Sequence, residues 1–401
     1  SLTTGINYYP ATTIYNLNST ANFGQNGTFS GLATAQGNED TNGIGDFFYP
    51  VPSGFSALCT KNLPDPAIPL PSEHFNTLLY NGSGNTTNNV TGVGFQPDLV
   101  WIKRGNVSAH PSLQDSLRGP NKTMAPSTIN VETSDSGAGL SAFTSDGFTV
   151  YEHASAQGVI NSGNMISWNW KANGSGYTDT SGDIDAVVSA NQAAGFSIVT
   201  WTSNGTDAGT VPHGLGVTPE IVIYKRRNST SPWYVFINGL IDGSLDYMHL
   251  DSTNIKQNSL SQWGTPSSSM ISNIGWSSGD ALVAYNFVSK PAFSKMGVYT
   301  GNGSSTDGPF VDLGFKPAWV VTKNTSVARA WLQSDNKNNP SNVVNKYISL
   351  DQDAAVDTYA WADFLSNGFK VRNNGASVNT DGNVYLYLAL AESPFKSATG
   401  R

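Results

Sequence analysis

One phrase recurs three times in this chain: a glycine, a proline three residues later, and a strand of buried type that ends in lysine. The copies read Gly94-Phe95-Gln96-Pro97-Asp98-Leu99-Val100-Trp101-Ile102-Lys103, then Gly216-Val217-Thr218-Pro219-Glu220-Ile221-Val222-Ile223-Tyr224-Lys225. The third is Gly314-Phe315-Lys316-Pro317-Ala318-Trp319-Val320-Val321-Thr322-Lys323. The prolines stand 122 and then 98 residues apart. That is the size of a small domain, not of a solenoid unit. The 401 residues therefore read as a string of related domains.

Each copy sits inside a longer shared order. Thr77-Leu78-Leu79-Tyr80, Ser197-Ile198-Val199-Thr200-Trp201 and Gly297-Val298-Tyr299-Thr300 open the three repeats. Met165-Ile166-Ser167-Trp168-Asn169-Trp170, Ala281-Leu282-Val283-Ala284-Tyr285-Asn286-Phe287 and Val384-Tyr385-Leu386-Tyr387-Leu388 close them. In the first closer Ile166, Trp168 and Trp170 alternate with Ser167 and Asn169, the period of a strand. Many short strands between Gly/Asn turns predict an all-β protein of tandem antiparallel β-sandwich or jelly-roll domains. Helical signals are weak; Asn342-Val343-Val344-Asn345-Lys346 and Asp353-Ala354-Ala355 are short helical turns at most. Leu63 to Pro71 carries four prolines in nine residues, which fixes φ and removes amide donors, so it reads as a linker. The expected divisions are a β-rich module at 1–62, a linker at 63–72, and repeats at 73–190, 191–292 and 293–401.

Charged residues make up 12% of the chain and aromatics 11%, against about 25% charged in ordinary soluble proteins. Aromatic and β-branched content argues against disorder. A hydroxyl- and amide-rich surface fits a virion-surface or extracellular setting. Net charge is −8 and the longest basic run is Lys225-Arg226-Arg227, so no nucleic acid partner is expected. No apolar run approaches the ~20 residues of a membrane span. The one cysteine, Cys59, has no partner for an intrachain disulfide and reads as a small buried apolar residue. The chain opens at Ser1 with neither Met nor a leader pattern, and preceding residues are expected to have been removed.

Reactive side-chain sets are scarce. No His-Glu-x-x-His zinc motif, Gly-x-Ser-x-Gly elbow or phosphate loop is present. Asp98 and Glu220 hold the same place in two repeats while Ala318 holds it in the third, which fits a structural role. Asp179, Asp183 and Asp185 cluster in one loop and are the candidate ligands for calcium, the one cofactor the residues offer. His110, Asp115 and Arg118 combine a titratable ring, an acid and a guanidinium; the set reads either as a ligand-orienting Arg–Asp pair or as an ion pair within a strand and turn. Trp233, Tyr234, Trp263, Trp331, Tyr359 and Trp361 lie outside the strands shared by the repeats. Exposed aromatics beside Asn, Asp and Gly make sugar-stacking surfaces, and these six are the ligand-binding candidates.

The first phrase, followed by His110, Asp115-Ser116-Leu117-Arg118-Gly119, Ser145-Asp146-Gly147-Phe148 and Trp168-Asn169-Trp170-Lys171, resembles a repeat of fibre and virion proteins of tailed bacteriophages, marine ones especially. Pro52-Ser53-Gly54-Phe55-Ser56-Ala57-Leu58-Cys59-Thr60-Lys61-Asn62-Leu63-Pro64 is similar to the closing segment of a SPRY-type, concanavalin-like sandwich, which commonly precedes that repeat. The likeness covers 73–175 and 293–401 best. It is weakest in the middle repeat, where Val217 replaces Phe and Ser-Asp-Gly-Phe is blurred to Ile271-Ser272-Asn273-Ile274-Gly275-Trp276. The resemblance implies a tail fibre or adhesin that binds host-surface glycan without cleaving it. It also implies homo-oligomers, trimers above all, and contact with other virion proteins. It carries over no catalytic residue. A capsid decoration or head-fibre protein is the alternative, and a glycan depolymerase a second.

Overall fold

The structure, a computed structural model, describes residues 20–84, 86–134, 139–151, 160–258 and 263–399. The chain divides into a unit ending at Asp65 and a unit beginning at Pro66. In the first, Asp40 organises the turns: its carboxylate accepts hydrogen bonds from the amides of Asn42, Ile44 and Ala57 and from Asn62 Nδ2. Cys59 is exposed there, against the expectation of burial; it precedes a single 3-10 turn, Thr60–Asn62, whose residues bury nothing.

The larger unit is all-β, and every strand pairing in it is antiparallel. Each repeat builds the same four neighbours in the same order: opener, closer, middle strand, fourth strand. In the first these are Phe75–Ser83, Ser162–Trp170, Leu99–Arg104 and Ser112–Asp115. In the second they are Phe196–Thr202, Ala281–Phe287, Ile221–Arg226 and Tyr234–Asn238. The third uses Ser294–Thr300, Val384–Pro394, Phe315–Asn324 and Leu332–Asp335. Tyr177–Asp179 and Ala186–Asn191 extend the second sheet rather than the first, so the boundary expected at residue 190 moves upstream of Tyr177. Val344–Ser349 is a strand, not a helical turn; cross-strand pairing to Leu332–Asp335 decides what local sequence left open.

The period of two sorts each middle strand onto two cores. Leu99 and Trp101 point one way and Val100 and Ile102 the other. The first face is shared: Trp101 and Trp168, Ile221 and Tyr285, and Trp319 and Leu388 lie in one hydrophobic cluster drawn from all three repeats. Each repeat then has a second core of its own, around Phe148, around Tyr224 and around Phe369. Burial on both faces explains why the repeated phrase is apolar along its whole length.

The three repeats close into a ring through one contact used three times. Lys103, Lys225 and Lys323, which end the repeated phrase, are completely buried. Lys103 Nζ donates to Asp353 O at 2.9 Å, from the first repeat to the third. Lys225 Nζ donates to Ile129 O at 3.0 Å, from the second to the first, and Lys323 Nζ to Thr253 O at 3.2 Å, from the third to the second. Three residues beyond each acceptor, an amide returns the contact: Val356 N to Gly105 O, Glu132 N to Arg227 O and Lys256 N to Thr325 O. Burial pulls all three ammonium groups down to about 8 from 10.5, opposed by nearby Asp353, Asp251 and Asp351. The carbonyls around each lysine replace the water it has lost.

Side chains follow the same cycle. Trp168 Nε1 donates to Asp335 Oδ2 at 3.2 Å and Tyr285 Oη to Asp115 Oδ2 at 2.7 Å. At the third junction the equivalent residues are Leu388 and Ile237, both within the apolar shared core.

Candidate functional site

Four of the six aromatic candidates are structural. Trp233 and Trp361 are completely buried, and Trp263 and Trp331 nearly so. Trp233 Nε1 donates to Ala125 O at 3.1 Å and Trp331 Nε1 to His249 O at 2.9 Å, so both tie one repeat to the next. Trp361 donates to Ser334 Oγ at 3.0 Å inside the third repeat. Trp263 lies flat on Phe236, centroids 3.8 Å apart. None of the four offers a ring face to a sugar, which corrects the stacking role expected of them. Both Trp233 and Trp331 fall eight residues after the phrase-ending lysine. That shared position was a signal of structure.

Tyr234 and Tyr359 remain half-buried. Tyr359 bonds through its hydroxyl to Asn373 and touches Tyr347 edge-on. Tyr234 stands in a larger group. In the first repeat the outer face of the shared strands is roofed by the hairpin Gly139–Thr144 and Gly147–Tyr151, and in the third by Asp357–Leu365 and Gly368–Val371. Among the described residues the second repeat has no such hairpin. Of the described residues, Thr210–Pro212 and Met270–Ser272, with Ile184, Trp263, Ile274 and Trp276, lie over its outer core.

The strands beneath have changed to suit. Where the first repeat buries Ser112 and Gln114, the second carries Tyr234 and Phe236. Tyr234 pairs across the strands with His249, and Phe236 with Tyr247. Around the Tyr234 ring lie His249 at 5.1 Å, Tyr247 at 6.0 Å and Trp276 at 6.1 Å. The Arg226 guanidinium sits 4.5 Å over Trp276, a cation–π contact, while its Nη1 donates to Asp280 at 3.2 Å. All four rings are half-buried, a two-dimensional aromatic surface at the edge of solvent. Arg226 Nε, Trp276 Nε1 and His249 Nε2 are buried atoms without a hydrogen-bond partner. Burial lowers the His249 pKa below its usual 6.5, with Asp251 acting the other way, so the ring is neutral at pH 7.

A family model matches residues 70–394, all three repeats together. The chain belongs to that family, described as Domain of unknown function (DUF7483). Its span coincides with the larger unit, so the family is defined on the whole ring and not on one repeat. No curated protein and no solved structure matches the chain.

Of the polar candidates on this DUF7483 ring, Asp115 and Arg118 are internal, while Asp183 and Asp185 are exposed. Arg118 Nε meets Asp115 Oδ2 at 2.5 Å with both side chains buried, and Arg118 Nη1 reaches Glu132 at 2.8 Å. Arg227 of the second repeat grips the same Glu132 at 2.9 Å. The Arg–Asp pair is thus part of a ring junction, while His110 Nδ1 contacts Ser127 Oγ separately. Asp98 accepts from Ala172 N and Glu220 from Ser289 N, each amide lying two residues past a closing strand's paired end. Asp179 accepts from Ser181, and Asp183 from Thr210 N and Oγ1. Asp185 shares a groove with Asp183. Among the described residues no group of three or more His, Cys, Asp or Glu is gathered as a metal site.

Proposed function

We propose that the chain is a non-enzymatic virion-surface protein of the tail-fibre kind that holds a host-surface glycan on the outer face of its second repeat. One observation carries this reading: where the other repeats have a hairpin roof, this one, among the described residues, presents Tyr234, Tyr247, His249 and Trp276 half-buried, the other three rings each touching Tyr234. Such rings match the C–H faces of sugars and lose little entropy on binding. A turn of the Trp276 ring would offer the unpaired indole N–H to a sugar hydroxyl. Several copies on one particle raise avidity by ~10²–10⁴ with no new contact.

The test is titration of the purified chain with host polysaccharide, with the reducing ends counted. Binding without chain shortening is expected, and Trp276→Ala lowers affinity about tenfold, about 1.4 kcal/mol. Release of reducing ends would move the reading to a depolymerase. The alternative is a capsid decoration or head-fibre role, in which the half-buried rings around Tyr234 would be covered by another virion protein. It predicts binding to virion proteins and no affinity for glycan.

A further inference from the structure

Where the first and third repeats meet, a groove of about 520 Å³ opens at the end of the opening strand. Its size suits a short oligosaccharide rather than a lone ion. Four carboxamides line it, from Asn81, Asn106, Asn164 and Asn338, and Leu79, Ile166 and Val356 supply apolar surface. Among the described residues no carboxylate lines it, and Lys346 stands at its wall. Lys346 has no carboxylate partner among the described residues, and neither has Arg104. The Arg104 guanidinium runs over Gly163: a Cβ there would lie 3.2 Å from Nε, 3.3 Å from Nη2 and 3.1 Å from Asn106 Oδ1. Arg104 Nε is buried and makes no hydrogen bond. Lys346 thus borders a row of amides, and Arg104 lies beside Asn106 just behind the lining, neither paired with a carboxylate among the described residues, in a chain whose net charge is −8.

The second repeat supplies an internal control. Thr200, Trp201 and Thr202, which match Leu79, Tyr80 and Asn81 by register, line a groove of about 560 Å³ at the same place. That groove is lined by Asp183, Asp185 and Arg227 and draws on the second repeat alone. The two grooves thus share strand positions but not lining: carboxylates stand in one and, among the described residues, none in the other.

We propose that the groove between the first and third repeats binds an acidic sugar: a polyhydroxylated ligand whose carboxylate faces Lys346 and Arg104. The amides take the hydroxyls, each able to donate and accept, and the apolar residues take the C–H faces. This site shares no residue with the aromatic face, and its ligand differs in charge.

The test is calorimetric titration of the full chain with a galacturonate trisaccharide, a neutral galactose trisaccharide and inorganic sulfate. Binding of the acidic trisaccharide is expected at least tenfold tighter than that of the other two, weakening as salt is raised. Lys346→Glu, at an exposed position, should lower that affinity at least tenfold, and Arg104→Gln several-fold. Asp183→Asn and Trp276→Ala should leave it unchanged. Equal binding of the neutral sugar, equal binding of sulfate alone, no binding of the acidic sugar, or an unaltered Lys346→Glu variant would each overturn the proposal. Unchanged host-glycan affinity in Trp276→Ala, with the acidic trisaccharide still bound, would instead count against the aromatic face alone.

Discussion

In the first repeat, Phe148 and Val150 of a hairpin close the outer core over Val100 and Ile102. In the second, the matching strand face is closed by two loop tryptophans and keeps a fringe of half-buried rings. The four shared strands and their order are identical. What the ring requires of each repeat is therefore the inner face and the lysine contact, while the outer face is free to change. The difference teaches which half of the sandwich carries assembly and which half is open to specialisation.

The strongest test of that division is a pair of truncations. Phe148→Ala should cost about 3–5 kcal/mol, as for a fully buried aromatic. Trp263→Ala should cost a similar amount if a tryptophan stacked on Phe236 stands in for the missing hairpin. Denaturant midpoints compare the two, and a Trp263→Ala cost below about 1 kcal/mol would show that the second repeat leaves its outer face unroofed.

The lysine contact comes next. Lys225→Met strips a donor from Ile129 O and Ser231 O and should cost about 2–3 kcal/mol by leaving buried carbonyls unpaired. The same groups set a pH dependence. Each lysine holds its proton less tightly folded, at about 8, than unfolded, at 10.5, so unfolding takes up protons between those values. Stability should therefore rise with pH above about 8. Buried Tyr224, Tyr285 and Tyr299, pushed well above 10 by burial, act oppositely and remove stability above pH 10. The thermal midpoint, followed from pH 7 to 11, should peak between about pH 9 and 10. A flat profile would mean that the lysines meet water. The smallest effect belongs to Tyr285→Phe, about 1 kcal/mol, because Asp115 keeps Arg118 when the phenol is lost.

The sandwich class was legible in the sequence because period-two alternation survives in strands such as Met165 to Trp170. The ring was not, for a physical reason: its acceptors are main-chain carbonyls of Asp353, Ile129 and Thr253, and a carbonyl leaves no residue-type signature. The phrase-ending lysines were visible, but their burial was not, since an ammonium ion is ordinarily solvated. Of the tryptophans counted as exposed because they lay outside the shared strands, Trp233 and Trp331 proved to be junction residues and Trp263 and Trp361 core residues of single repeats. Tyr234 was found by the same argument and is half-buried, with no hairpin over it among the described residues. The blurred step from Ile271 to Trp276 was the trace of that loss. The grooves could not be read at all, since each depends on strands far apart in sequence.

Because all three positions of the ring are encoded separately, a substitution alters one of them and spares the other two. An assembly of three identical chains has no such liberty; every change appears in triplicate, and a harmful one is multiplied with it. Lys346 on one groove and Asp183 on the other show what that liberty permits: an object built on threefold logic whose sides need not carry the same charge.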